Sequence, residues 1–147
     1  MPILGLRSPH ETVGGLVFFG RMLDKIRLDA AGRLPPGYNL GDKSPGFFDG
    51  RLCRFLRVRY DALREQVLAG ATDEQALEWC FSNGRRPDDE EIAMFNDFLR
   101  KRGWNDDASQ FLEQRKKQFG LADRADIQTS FDLQDADEGR PIRRYDG

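Results

Sequence analysis

Residues 71–106 read ATDEQALEWCFSNGRRPDDEEIAMFNDFLRKRGWND, and their punctuation decides the fold class. Thr72 with Gln75 and Asp88 with Glu91 are capping boxes, in which a side-chain oxygen takes an exposed amide and the residue three positions on reaches back. Each box opens an apolar-periodic stretch, Ala76, Leu77, Cys80 and Phe81 in one and Ile92, Phe95 and Leu99 in the other. Gly84 and Gly103 close them, the second after Arg100, Lys101 and Arg102, whose charges suit a helix C-terminus.

The same grammar extends in both directions. Asn105 and Asp106 open a helix carrying Ala108, Phe111, Leu112 and Phe119, which Gly120 ends. Upstream, Asp49 caps a helix with Leu52, Phe55 and Leu56 on one face. Continued unbroken, that face would reach Arg59 before Leu63 and Val67, so a break is expected near residues 58–60, with Asp61 starting a shorter helix that ends at Gly70. Ser8, Pro9 and Glu11 read as the start of helix 1, running to about Leu28. Val13, Leu16, Val17, Gly20 and Leu23 share one face, Phe19, Met22 and Ile26 a neighbouring one, and Arg21 and Lys25 mark a narrow polar strip. Gly14, Gly15 and Gly20 in such a helix suggest close approach by another backbone.

The expected architecture is therefore all-α. It is a single domain over residues 1–147, a bundle of five or six helices packed around helix 1. A long Pro/Gly loop covers 32–48, an irregular segment follows residue 120, and a frayed tail spans 140–147.

At 147 residues, with 39% hydrophobic and 33% charged residues, the chain can bury one core and keep a soluble surface. The net charge of -2 divides into +5 over residues 1–60 and -7 over 61–147. Cys53 and Cys80 are too few for a disulfide framework, and no basic run leads into a long apolar stretch, so a reduced, cytoplasmic, soluble protein is expected. No GxSxG, HExxH, Walker-type or GxGxxG string is present, so no cofactor is expected.

Two constellations stand out. Asp24 and Arg27 lie three apart near the apolar face of helix 1, either as a polar pocket in which Asp24 serves as acid, base or ligand anchor, or as a structural ion-pair network. Arg51 and Arg54, continued by Arg57 and Arg59, offer guanidinium forks to an anion, or simply form a solvated flank. The tail carboxylates Asp132, Asp135, Asp137 and Glu138 miss the calcium-loop spacing, and the sole histidine, His10, excludes a paired-histidine site. No metal is expected; a latch onto the basic helix is the alternative use of those acids. Neither cysteine sits in a nucleophile motif.

The stretches LRSPHETVGGL at 6–16, DKIRL at 24–28, FDGRLCRFL at 48–56, RGW at 102–104 and DADEGR at 135–140 resemble a family of small bacterial proteins known as a domain of unknown function. The resemblance implies a bacterial source and transfers no activity. Similar proteins are expected to carry glycine near position 57, where this chain has Arg57. The reading favoured by the residues is a noncatalytic binding or adaptor protein for an anionic small molecule or acidic protein surface, using Arg51 and Arg54. The alternative is an enzyme whose pocket joins Asp24, Arg27 and second-helix arginines. Nucleic acid and membrane are not expected partners.

Overall fold

The computed structural model describes residues 2–144, and its first regular element is a hairpin where a helix start was expected. Strands β1 (Thr12–Val13) and β2 (Leu16–Val17) pair antiparallel, Val13 opposite Leu16. Gly14 and Gly15 form the two-residue turn with φ of 58° and 81°, the primed geometry that matches strand twist and that side chains resist. The glycines serve this turn and not the contact of one helix with another. Only at α1 (Phe19–Ala30) does the chain become helical.

Six helices follow: α2 (Phe48–Leu56), α3 (Tyr60–Leu68), α4 (Asp73–Asn83), α5 (Asp89–Lys101), α6 (Ser109–Gln118) and α7 (Ser130–Asp137). The break between α2 and α3 is a Schellman ending. Arg57 takes the left-handed conformation at φ 60°, its amide donates to the Arg54 carbonyl, and the Val58 amide donates to the Cys53 carbonyl. Both capping boxes form, at Thr72 with Gln75 and at Asp88 with Glu91. The seven helices among the described residues exceed the five or six expected, because α7 occupies part of the segment read as irregular; Thr129 accepts from the Asp132 amide to start it. Among the described residues no helix is long and apolar enough to cross a membrane.

Helix α1 lies against β1, α2 and α3. Its Phe19, Met22, Leu23 and Ile26 join Leu52, Leu56, Leu63, Leu99 and Phe131 in the main core. Arg21 and Lys25, read as a polar strip, are only 2% and 4% exposed, so charge as well as hydrocarbon is buried around this helix. Asn96 of α5 staples the hairpin to the core: its Oδ1 accepts from the Val17 amide and its Nδ2 donates to the Gly15 carbonyl. Asp49 does not cap α2. It lies inside the first turn, accepts from the Gly41 amide and pairs with Lys25.

Residues 31–47 contain no helix or strand and cross the molecule between α1 and α2. Side chains of the flanking helices hold this loop by its backbone: the buried Lys25 Nζ donates to the Asn39 carbonyl at 2.7 Å and the exposed Arg54 to the Pro45 carbonyl at 2.8 Å. Of the tail at 140–147, residues 145–147 lie outside the described residues. Arg140 donates to Glu138 and to the Leu6 carbonyl.

Candidate functional site

The loop roofs a cavity of about 440 Å³, whose other walls come from Phe18, α1, the start of α2, α6 and α7. Its floor is made of buried ions. Arg21 donates to both oxygens of Glu138, at 2.8 and 2.6 Å, with side chains 3% and 1% exposed. The Tyr38 hydroxyl donates to the same carboxylate at 3.1 Å, tying the roof to the floor. Beside it, Lys25 Nζ lies 2.8 Å from Asp49 Oδ1.

The energetics of these groups follow from burial opposed by pairing. Burial works against the charge on Glu138, but hydrogen bonds from Arg21 and Arg140 outweigh it and hold the carboxyl below its ordinary range. For Lys25 burial prevails: the ammonium sits below its ordinary value despite the pull of Asp49. Burial, then the negative Glu138, pushes the Tyr38 phenol up, so it remains a donor.

Above that floor the cavity turns aromatic. Phe18, Phe47, Phe48, Phe111 and Phe119 line it, with Phe111 57% and Phe119 38% exposed at the mouth. Arg115 lies over these last two rings, 5.8 and 5.0 Å from their centroids. Arg102 also lines the space, holding Asp107 at 2.6 Å and Asp106 at 3.4 Å. An apolar body framed by guanidinium groups is the surface such a cavity offers.

Asp24 and Arg27 come together, but elsewhere. Asp24 accepts from the backbone amide and Nε of Arg7 on Oδ2 at 3.0 and 2.9 Å and from Arg7 Nη2 on Oδ1 at 3.0 Å, and Arg27 Nη1 lies 3.6 Å from that same Oδ1. Asp73 at the start of α4 completes the group, accepting from Arg7 at 2.8 Å and from Arg27 at 3.0 Å. The Arg7 hydrogen bond, followed by others, holds the Asp73 carboxyl below its ordinary value. This network cross-links the N-terminal segment, α1 and α4, and neither Asp24 nor Arg27 lines the cavity. Arg7 and Asp73 escaped the sequence reading, although Gly20 carried the clue: a Cβ there would stand 2.7 Å from Arg7 Cζ. The close neighbour is a side chain, not a backbone.

Arg51 and Arg54 do not line the cavity but neighbour residues that do. Arg51 lies over the Phe98 ring at 5.2 Å, and Arg102 shares that ring at 5.6 Å. The carbonyl that Arg54 holds belongs to Pro45, between the cavity-lining Ser44 and Gly46. Burial, followed by the charges of Arg102 and Arg54, lowers the Arg51 guanidinium from its ordinary value. Of the four expected site residues, Asp24 and Arg27 thus come together in an ion-pair network, and Arg51 and Arg54 lie outside the cavity lining.

In the acidic tail, Glu138 pairs with Arg21 of α1 and not with α2, and Asp135 lies 3.5 Å from Arg140 and 3.8 Å from His10 Nε2. Among the described residues no group of three or more His, Cys, Asp or Glu could hold a metal ion. Burial pushes the Cys53 thiol up, and the Cys80 thiol up to about 12, leaving neither as a ready thiolate.

A family model described as Domain of unknown function (DUF5069) matches residues 4–140. No curated protein matches the chain.

Proposed function

The chain belongs to the family described as Domain of unknown function (DUF5069), and from the geometry of its cavity we propose that it is a noncatalytic binding protein for a small anionic ligand with an apolar body. The observation that carries this reading is the loop-roofed space of about 440 Å³, aromatic inside and bordered by Arg102 and Arg115. Enclosure of this size suits a small molecule better than an acidic protein surface, which needs an open face. The free thiols Cys53 and Cys80 fit a reducing cytoplasm. An enzyme centred on Asp24 has less support, because Arg7 already occupies that carboxylate with three hydrogen bonds.

Fluorescence titration with 1-anilinonaphthalene-8-sulfonate tests the proposal. At roughly 0.3 kcal/mol for each of its roughly twenty non-hydrogen atoms, about 6 kcal/mol in all, a Kd of about 4 × 10⁻⁵ M is expected. Ala108→Trp, which fills the cavity from its α6 wall, weakens binding at least tenfold while the thermal transition stays cooperative. Equal binding by both proteins removes the cavity as the site.

A further inference from the structure

The arginines beside the cavity identify the ligand's charged end. Three guanidinium groups neighbour one another there: Arg51 and Arg102 both contact the Phe98 ring, and Arg54, one turn along α2 from Arg51, donates to the Pro45 carbonyl. Arg51 feels both of the others as repelling charges. A phenyl ring and a carbonyl neutralise neither Arg51 nor Arg54. The nearby carboxylates are already engaged: Asp107 holds Arg102, and Asp106 accepts from the Gly103 and Ala108 amides at the start of α6. Asp42 adjoins Arg54 beside Gly50, but among the described residues neither Arg51 nor Arg54 makes an ion pair, and Arg51 Nε is buried without a hydrogen-bond partner, which leaves the cluster open to an anion.

We infer that Arg51, Arg54 and Arg102 form an oxyanion site at the cavity rim that takes the phosphate end of a small phosphate monoester, whose apolar body lies on Phe47, Phe48 and Phe111. A phosphate monoester carries nearly two negative charges and three acceptor oxygens near neutral pH, enough to serve several forks at once. A carboxylate has two oxygens and one charge, which serves a single fork. The rim and the aromatic space belong to one site, because Arg102 lines the cavity and Pro45, held by Arg54, lies between two lining residues. This inference rests on the cavity being a binding site.

Calorimetric titrations with 2-naphthyl phosphate, 2-naphthol and inorganic phosphate test it, using wild type, the double variant Arg51→Gln/Arg54→Gln, and Ala108→Trp, each shown by its thermal transition to be folded. Wild type is expected to bind the ester at least tenfold more tightly than naphthol, with an affinity that falls as salt rises. The double variant loses that tenfold increment and keeps its naphthol affinity. If the ester binds no better than naphthol, or the double variant keeps the increment, the oxyanion site is refuted while the cavity stands. If folded wild type binds neither aromatic compound, the cavity reading fails and takes the inference with it. Phosphate binding that survives Ala108→Trp and gains nothing from the naphthyl group refutes the assignment of rim and cavity to one ligand.

Discussion

Replacing Glu138 by glutamine removes the negative charge on which the floor of the cavity depends. The partner left behind, Arg21, has a side chain only 3% exposed and keeps its charge with one carboxylate fewer. Breaking a buried pair on one side costs about 3–5 kcal/mol; glutamine can still accept one hydrogen bond, so the lower end, about 3 kcal/mol, is expected. For a domain of this size the thermal midpoint should fall by roughly 10 °C. Removing both charges, as in Arg21→Met/Glu138→Leu, should destabilise less than E138Q alone, because the fully buried Arg21 is no longer left without its carboxylate, while the half-buried Arg140 keeps Asp135 at 3.5 Å. The pH dependence has a definite sign. The folded Glu138 carboxyl lies below its ordinary value, so its contribution is complete above about pH 4.3 and is lost as pH falls through the folded value. The gap between wild type and E138Q should therefore narrow in acid. Because Tyr38 donates to Glu138, amide exchange over residues 37–41 should quicken in the variant. Urea denaturation at pH 7 and at pH 3.5 provides the measurement. Stabilities within about 0.5 kcal/mol of each other at pH 7 would mean that Arg21 does not depend on the Glu138 charge.

Arg57→Gly should stabilise the protein by about 0.5–1 kcal/mol, since the left-handed conformation at φ 60° strains any residue with a Cβ and glycine gives back part of the gain through unfolded-state entropy; chemical denaturation reads the difference. Gly14→Ala should destabilise more than Gly15→Ala, which itself costs about 1 kcal/mol, because only the Gly14 Cβ would meet Leu77, at 2.4 Å, and paired melting curves check the order. Burial lowers His10 below its ordinary value despite Asp135, so its ring proton should titrate in NMR below about pH 6.5, and stability should fall as pH drops from there towards the folded value.

What the sequence makes legible is the local chemistry of helix ends. Thr72, Gln75, Asp88 and Glu91 announce their helices because a cap involves residues three apart, and Arg59 announces the break after α2 because a charge cannot interrupt a buried stripe. The hairpin was hidden by coincidence: Val13, Leu16 and Val17 satisfy a helical spacing as well as a two-residue turn, and only the Gly14–Gly15 pair distinguishes them. The candidate site was half legible. Arg51 and Arg54 are visible as a flank, but the cavity beside them joins the loop to α6 and α7 over distances in sequence that no spacing rule spans. The partners of buried charge were equally out of reach, since nothing local connects Arg21 to Glu138 or Arg7 to Asp73.

Chemical-shift mapping of the isotope-labelled protein with 2-naphthyl phosphate locates the bound ester. Perturbed amides are expected within residues 44–48 and 107–111, with a shifted Arg102 Nε resonance and with Asp24, Arg27 and Asp73 unmoved. Shifts centred on Asp24 and Asp73, or none at saturating ligand, would contradict binding in the cavity.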